Sequence, residues 1–138
     1  MKFAKPLLFL LLIGLTLFTV TSCEKDEGKL PDISFKTGGN YISSDVTLPA
    51  GSAIIIGINA AKTEDKDVLK KFNVSKAING GAPASVFSKD LSGSEGDQYS
   101  TDYTATLETT PGQVDQFIFT VTNRDGLTNQ VAVKITIQ

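Results

Sequence analysis

From Asp32 to Gln138, apolar and polar residues alternate with a period of two, and this pattern restricts the fold more than any other feature of the chain. A period of two places successive side chains on opposite faces of a strand, whereas a helix requires about 3.6 residues per turn. The alternation predicts these strands: Asp32–Lys36, Ser52–Ala61, Leu69–Ile78, Ser85–Lys89, Gln98–Leu107, Gln116–Thr122 and Leu127–Gln138. Antiparallel sheets with one buried face produce this pattern.

Turn-forming residues lie between the predicted strands and agree with that division. Clusters of Gly, Pro, Asn and Ser occur at Gly38–Asn40, Pro49–Gly51, Asn79–Gly81, Ser92–Gly96 and Pro111–Gly112. Asn123–Gly126 joins two regularly alternating strands, so a tight hairpin is expected there. Gly57, inside the second strand, predicts a β-bulge. Residues 63–70 resemble a helix, but the stretch is too short and polar for more than one turn.

About seven short strands at regular spacing, within one domain spanning 32–138, are typical of a β-sandwich. A chain of 138 residues suffices for one ordinary domain. It has no Trp and a single Cys, so the Cys–Trp–Cys core of antibody domains is absent. The core would instead consist of aliphatic side chains with Phe72, Phe117 and Phe119.

Residues 1–22 have the features of a cleavable signal peptide. Lys2 and Lys5 precede and flank an apolar stretch that runs from Pro6 to Val20. About 15 apolar residues are too few to span a bilayer, which needs about 20, and the length and basic flank are typical of an export signal. An uncleaved membrane anchor, or a secretory signal with a chance Cys, is the alternative.

The end of this signal has a more specific interpretation. Val20, Thr21, Ser22 and Cys23 resemble the bacterial lipobox, an aliphatic residue and two small residues before a Cys. The resemblance implies that Cys23 accepts a diacylglyceryl group and becomes the N-terminus, so membrane lipid is a partner. Acyl chains anchor durably, since each buried methylene adds about 0.8 kcal/mol. A lipidated Cys23 also leaves no free thiol in an exported chain.

The residues after the signal peptide form a charged linker, 23–31. Within it, Lys25, Asp26 and Glu27 resemble the acidic surface-export tag of Bacteroidota lipoproteins, which implies a position on the outer face of the outer membrane. A plain solvated linker is the alternative, because charge runs usually have no other role. Eight extended residues reach about 26–29 Å, so the domain would stay close to the membrane.

The end of the chain carries a further resemblance. Phe117–Gly126, followed by a terminal alternating strand, looks like the final hairpin of bacterial immunoglobulin-like, PKD-like or cadherin-like modules. With the lipobox and the tag, the chain resembles small immunoglobulin-like lipoproteins of Bacteroidota over nearly its full length. This implies an all-β, immunoglobulin-like antiparallel β-sandwich of about seven strands at the cell envelope, and it implies no activity.

The composition argues against an enzyme and against a nucleic-acid-binding protein. There is no His, and lipid would occupy the one Cys, so hydrolytic triads and Cys nucleophiles are not expected. No Gly-x-Ser-x-Gly turn, phosphate loop or dinucleotide fingerprint occurs. Asp97 and Asp102 could pair for sugar cleavage, but solvated strand carboxylates are the better interpretation. Without the signal peptide, 11 basic residues face 15 acidic ones, and this charge of −4 repels a phosphate backbone.

Calcium is the one cofactor that the sequence makes worth considering, because it takes oxygen ligands from loops. In immunoglobulin strand order, three loops meet at one end: Lys62–Val68, Lys89–Gly96 and Asn123–Gly126. Their acidic residues, which are the calcium candidates, are Glu64, Asp65, Asp67, Asp90, Glu95 and Asp125. No Asp-x-Asp-x-Asp spacing occurs, so the alternative is that these acids simply decorate exposed loops.

The same strand order predicts that the acidic end faces the membrane. The outward end would then carry Thr37–Pro49, Ile78–Ala84 and Glu108–Val114, with Tyr41 as its one aromatic residue. Recognition commonly uses loops on a rigid scaffold, although Tyr41 could simply pack over the sandwich end. One hypothesis is a surface binding or adhesion module for a glycan, a host protein or an envelope protein. The other is an accessory subunit that docks on an outer-membrane assembly through a strand edge or an apolar patch.

Overall fold

The computed structural model describes residues 28–138, and this part of the chain is almost entirely β-structure. The described residues form eight strands and one 3₁₀ turn, η1 (Gly93–Gly96). The strands are β1 (Asp32–Phe35), β2 (Val46–Leu48), β3 (Ala53–Ala61), β4 (Leu69–Ile78), β5 (Ala84–Asp90), β6 (Gln98–Thr106), β7 (Val114–Asn123) and β8 (Thr128–Ile137). In residues 28–138 no helix is long and apolar enough to cross a bilayer.

The strands form two sheets, in the orders β1-β3-β6 and β2-β8-β7-β4-β5. All pairings are antiparallel except that of β2 with β8. The first, third and sixth strands share one sheet while the fourth, seventh and eighth share the other, which is the distribution of an immunoglobulin-like sandwich. The predicted all-β, immunoglobulin-like fold is therefore confirmed, with eight strands where about seven were expected.

The core lies between the sheets and consists of the inward residues of the alternating pattern. Phe72, Phe117 and Phe119 are buried, as predicted. The three-stranded sheet adds two aromatic rings: Tyr99 lies 5.2 Å from Phe72, and Tyr103 lies 5.8 Å from Phe119, centroid to centroid. Edge and tilted ring contacts of this kind add to the hydrophobic energy of burial, so aromatic packing replaces the disulfide and Trp of antibody domains.

The predicted strands coincide with β1 and β3 to β8 within one or two residues at most ends. The prediction missed β2, which has only three residues. Residues 63–70 form no helix, and the one helical turn instead lies at Gly93–Gly96, in a segment predicted as a flexible turn. The signal peptide, Cys23 and the tag residues lie outside the described part of the chain.

The expected bulge at Gly57 is wrong, because β3 pairs with β6 without a register shift along its whole length. Gly57 is required for a different reason. A Cβ at this position would lie 2.6 Å from Lys36 Cδ and 2.7 Å from Tyr41 Cε1, closer than real Cβ contacts come. Gly57 therefore allows two side chains to pack flat on the outer face of the three-stranded sheet. Among residues 28–138 the register shifts lie elsewhere: one at Leu69/Lys71, where β4 pairs with β7, and one at Val74/Ser75, where β4 pairs with β5.

Candidate functional site

The three loops predicted to meet at one end of the sandwich do so. Lys62 N donates to Asp97 O at 3.0 Å, and Arg124 N donates to Val68 O at 2.8 Å. Leu91 N donates to the carbonyl at the start of β4 at 2.8 Å. The N-terminal segment enters at this end too, because Asp32 opposes the last residue of β3.

The segment Gly28–Pro31 lies against these loops and is held there by side chains from them and from β8. Thr63 Oγ1 donates to Leu30 O at 2.9 Å, and Asn129 Nδ2 donates to Pro31 O at 2.9 Å. Asn123, which is buried, donates to Lys29 O at 3.3 Å while its Oδ1 accepts from two backbone N–H groups of its own hairpin. The end of the linker is thus fixed to the domain.

Two of the six calcium candidates converge beside this segment. A Cβ built on Gly28 would lie 3.2 Å from Oδ2 of Asp67 and 3.2 Å from Oδ2 of Asp125. Asp67 is 1% exposed, and in the described part of the chain neither of its carboxylate oxygens has a hydrogen-bond partner. The nearest ion-pair partner is Arg124, whose Nη2 lies 3.8 Å from Asp67 Oδ1, too far for a hydrogen bond.

The other four calcium candidates do not form a cluster with Asp67 and Asp125. Glu95 pairs with Lys89 at 2.5 Å, and this hydrogen bond raises the pKa of the Lys89 ammonium. Asp65 and Asp90 are exposed, and Glu64 has one buried oxygen, Oε2, without a hydrogen-bond partner. Across residues 28–138 no three His, Cys, Asp or Glu side chains form a ready-made metal site.

The opposite end differs from its prediction. The turns Ile78–Ala84 and Glu108–Val114 lie there, but Thr37–Pro49 runs along the side, where Val46–Leu48 pair with β8. Tyr41 does not cover the sandwich end. It lies on the outer face of the three-stranded sheet, where its hydroxyl donates to Asp102 Oδ2 at 3.1 Å.

Lys36 completes this contact on the outer face, because its Nζ donates to Asp102 Oδ1 at 2.7 Å. That hydrogen bond is the main cause that lowers the pKa of the Asp102 carboxyl, and the Tyr41 hydroxyl adds to it. Asp102 is therefore a structural carboxylate. It does not face Asp97, which pairs with Lys62 at 2.7 Å at the end of the domain. The paired-carboxylate alternative for sugar cleavage has no geometric support.

A charged cluster that the sequence analysis missed lies between β4 and the loop before β7. Asp115 is fully buried, and its Oδ2 lies 3.0 Å from Lys76 Nζ. Lys76 also donates to Glu108 at 2.9 Å, and Gln113 donates to both Glu108 and Asp115. The alternating pattern of the sequence could have predicted that Asp115 is buried, since Asp115 lies two residues before Phe117 and therefore on the same face of β7.

The side of the sandwich between β5 and β6 is open. Phe87 pairs with the buried Val74 and its ring meets Phe72 edge to face at 6.3 Å, so it belongs to the inward face of β5. It is nevertheless 42% exposed, because β6 is the last strand of the opposite sheet and none of the described residues extends that sheet over it. A cavity of about 250 Å³ lies there, lined by Phe72, Phe87 and Thr101–Thr104.

The two strand edges that border this opening differ in how they are protected. β5 carries Lys89 and faces the register shift at Val74/Ser75, and charges and bulges are the usual protection of an edge. β6 pairs regularly with β3 and contains no Pro, Lys or bulge. Its one charged side chain, Asp102, is held on the outer face by Lys36. The free edge of β6 is therefore an unprotected template for another strand.

Comparison with known proteins adds no family. No protein-family model and no curated protein sequence matches the chain. Among solved structures, the domain is similar to Spo0M, a sporulation control protein from Bacillus subtilis, with a TM-score of 0.43 and 10% identity over 79% of this chain. The chain spans 49% of that protein. A likeness at this level carries no argument about function.

Proposed function

We propose that this protein is a lipid-anchored binding module of the outer membrane, displayed on the cell surface, whose immunoglobulin-like domain recognises a protein through its open side. The observation that carries this proposal is that two features lie side by side at the opening. One is Phe87, an aromatic ring on the inward face of β5 that is nevertheless exposed, and the other is the unprotected edge of β6. An apolar wall beside unpaired backbone groups is what β-strand addition uses, with main-chain hydrogen bonds for affinity and pockets for alternate side chains.

The expected occupant is an extended segment of a different protein. A second copy would have to pair its β6 with the same edge, and the favoured antiparallel pairing turns one domain upside down relative to the other. Two copies anchored through the short 23–31 linkers in one membrane have the same orientation, since the described segment enters at one end of the domain. Anchoring therefore disfavours self-pairing. Glycans are also disfavoured, because the chain contains no Trp.

Site-specific photo-crosslinking in intact cells tests this proposal. A photoreactive residue at Phe87 and another at Thr101, across the opening on the inward face of β6, should capture the same protein, whereas one at Lys134, on β8 of the five-stranded sheet, should not. Phe87→Asp should abolish recovery of that protein from detergent-solubilised membranes. Ser88→Asp places the same charge on the opposite face of β5, since Ser88 pairs with the outward Asn73, and should leave recovery unchanged.

Two outcomes would overturn the proposal. One is crosslinking to a second copy of this chain, and the other is an equal loss of the recovered partner in Phe87→Asp and Ser88→Asp. The recovered stoichiometry separates the two hypotheses that the sequence left open. One-to-one recovery with a single envelope protein supports the accessory subunit, and binding to varied external proteins supports the adhesion module.

A further inference from the structure

The end of the domain that receives the linker carries a buried carboxylate that no hydrogen bond from the described residues satisfies. Asp67 is 1% exposed, and within residues 28–138 both of its oxygens lack hydrogen-bond partners, which is rare for a buried carboxylate. An ionised carboxylate in such a place costs several kcal/mol unless a cation or hydrogen bonds satisfy it. Arg124 compensates this charge only in part, because its side chain is 51% exposed and its Nη2, 3.8 Å from Asp67 Oδ1, makes an ion pair without a hydrogen bond.

A second carboxylate faces the same space. Oδ2 of Asp125 and Oδ2 of Asp67 both lie 3.2 Å from the position that a Cβ on Gly28 would take, so the two oxygens are within 6.4 Å of each other. Asp125 has its own weak contact with Arg124, at 3.7 Å from Nε. Two like charges directed at one point repel each other, and a bound cation turns that repulsion into attraction.

We propose that Asp67 and Asp125 bind a calcium ion beside Gly28, at the junction of the linker and the domain. Carboxylate oxygens are the ligands that calcium prefers, and its irregular coordination accepts main-chain carbonyls and water for the remaining positions. Magnesium requires a near-ideal octahedron and gives up its waters reluctantly, so a buried carboxylate ligand favours the more adaptable calcium ion. With only two carboxylates, the affinity falls in the range of about 10⁻⁴–10⁻³ M that extracellular calcium modules show.

The site has a mechanical consequence, because Gly28 belongs to the segment that follows the predicted export tag. Calcium at this point joins the 62–68 loop, the β7–β8 hairpin and the linker. It adds to the hydrogen bonds from Thr63 and Asn123 that already fix Leu30 and Lys29. Calcium would therefore set the orientation of the domain relative to its anchor, and with it the accessibility of the open side.

Calorimetric titration and thermal melting of the full chain in detergent test the site, with CaCl₂ against EGTA and with MgCl₂ at matched ionic strength. At calcium ten times above its Kd, the melting temperature should rise by about 5–10 °C. Asp67→Asn and Asp125→Asn should each abolish the rise. Asp65→Asn, in the same loop but with an exposed side chain, should retain it.

Melting in EGTA gives a second readout that a purely structural role of Asp67 would not produce. If Asp67 serves calcium, Asp67→Asn melts no lower than the unmodified chain in EGTA, because it removes a buried charge that no hydrogen bond from the described residues satisfies. Three results would overturn the proposal: no calcium-dependent rise, an equal rise with magnesium, or a rise that persists in both the Asp67→Asn and the Asp125→Asn variants. Because Asp67 and Asp125 are not among the residues that line the open side, failure of the calcium site would leave the proposed protein-binding function untouched.

Discussion

At the scale of single residues, the buried charges distinguish this domain from a plain hydrophobic sandwich. Asp115 is fully buried, and Lys76, with its side chain 17% exposed, is the cation that compensates it. Burial lowers the pKa of Lys76, but the hydrogen bonds to Glu108 and Asp115 outweigh burial and raise the pKa above its ordinary 10.5. The stability of β7, which carries Asp115, therefore depends on the ion pair with Lys76 of β4.

Lys76→Met should destabilise the domain by about 3 kcal/mol, because it leaves the Asp115 carboxylate buried without its cation. The free energy of unfolding from urea denaturation measures the effect. Lys71→Met, at an exposed position of the same strand, is the matched control and should change stability by less than about 0.5 kcal/mol. Equal effects of the two variants would show that the ion pair contributes nothing.

The same cluster should make stability depend on pH at both extremes. Hydrogen bonds from Lys76 and then Gln113 lower the pKa of Glu108 below its ordinary 4.5, so its contribution is complete above about pH 4.5 and is lost as the pH falls through the folded-state pKa. The raised pKa of Lys76 acts in the opposite direction. Its contribution is complete below pH 10.5 and is lost as the pH rises through the folded-state value.

Glu108→Gln should therefore reduce the loss of stability as the pH falls from about 5 to about 3, and Lys76→Met should reduce the loss above about pH 10.5. The acid effect is small, because the Glu108 side chain is 46% exposed and solvent screens it. Urea midpoints across the pH range measure both slopes. Asp90→Asn, at an exposed position of β5, is the control that should leave both slopes unchanged.

At the scale of elements, the outcome of the sequence analysis follows from how far each strand is buried. β3, β4, β7 and β8 have nine or ten residues each and a continuous buried face, so their alternation is clear. β2 has three residues and pairs in parallel at a sheet edge, which gives the alternation too little length to be seen. A glycine inside a strand indicates an unusual position, but the sequence around Gly57 could not show that the side chains of Lys36 and Tyr41 lie over it. That contact joins residues that are distant along the chain.

Gly57→Ala should destabilise the domain by about 1–3 kcal/mol, because the added Cβ overlaps Lys36 and Tyr41 and forces both off the sheet. A double-mutant cycle measures this. The cost should fall by more than half when Lys36 is replaced by Gly and Tyr41 by Ala, since the Cδ and Cβ of Lys36 and the ring of Tyr41 are then removed from the space above Gly57. An unchanged cost in that background would place the strain in the backbone of β3 instead.

At the scale of the whole molecule, the number and spacing of strands sufficed to predict the sandwich and the end at which three loops and the N-terminus meet. The open side could not be predicted from the sequence. It exists because β6 is the last strand of the three-stranded sheet, so that no further strand among the described residues covers Phe87. The burial of Asp67 could not be predicted either. Acidic loop residues look alike in sequence, and the position of Gly28 distinguishes Asp67 and Asp125 from the others only in three dimensions.

The proposed anchor and the proposed open-side function depend on each other, and one substitution tests the anchor. Cys23→Ala should abolish labelling with radioactive fatty acid and release the protein from the membrane fraction. The folded domain, followed by its thermal melt, should be unchanged, because residues 28–138 form a complete two-sheet core among themselves. If the variant stays in the membrane, the N-terminus is an ordinary anchor, and the lipobox interpretation is wrong.

The orientation of that anchor decides which partners can reach the open side. Replacing Lys25, Asp26 and Glu27 together by Ala should keep the lipid label but remove the domain from the reach of protease added to intact cells, because the proposal assigns outward transport to this tag. Replacing Lys70, Lys71 and Asp90, an equal number of charges on the domain surface, should leave the protease signal unchanged. Protection of the unmodified chain would place the domain in the periplasm. The β6 edge would then serve a partner inside the envelope, since an unprotected edge without an occupant invites aggregation at any location.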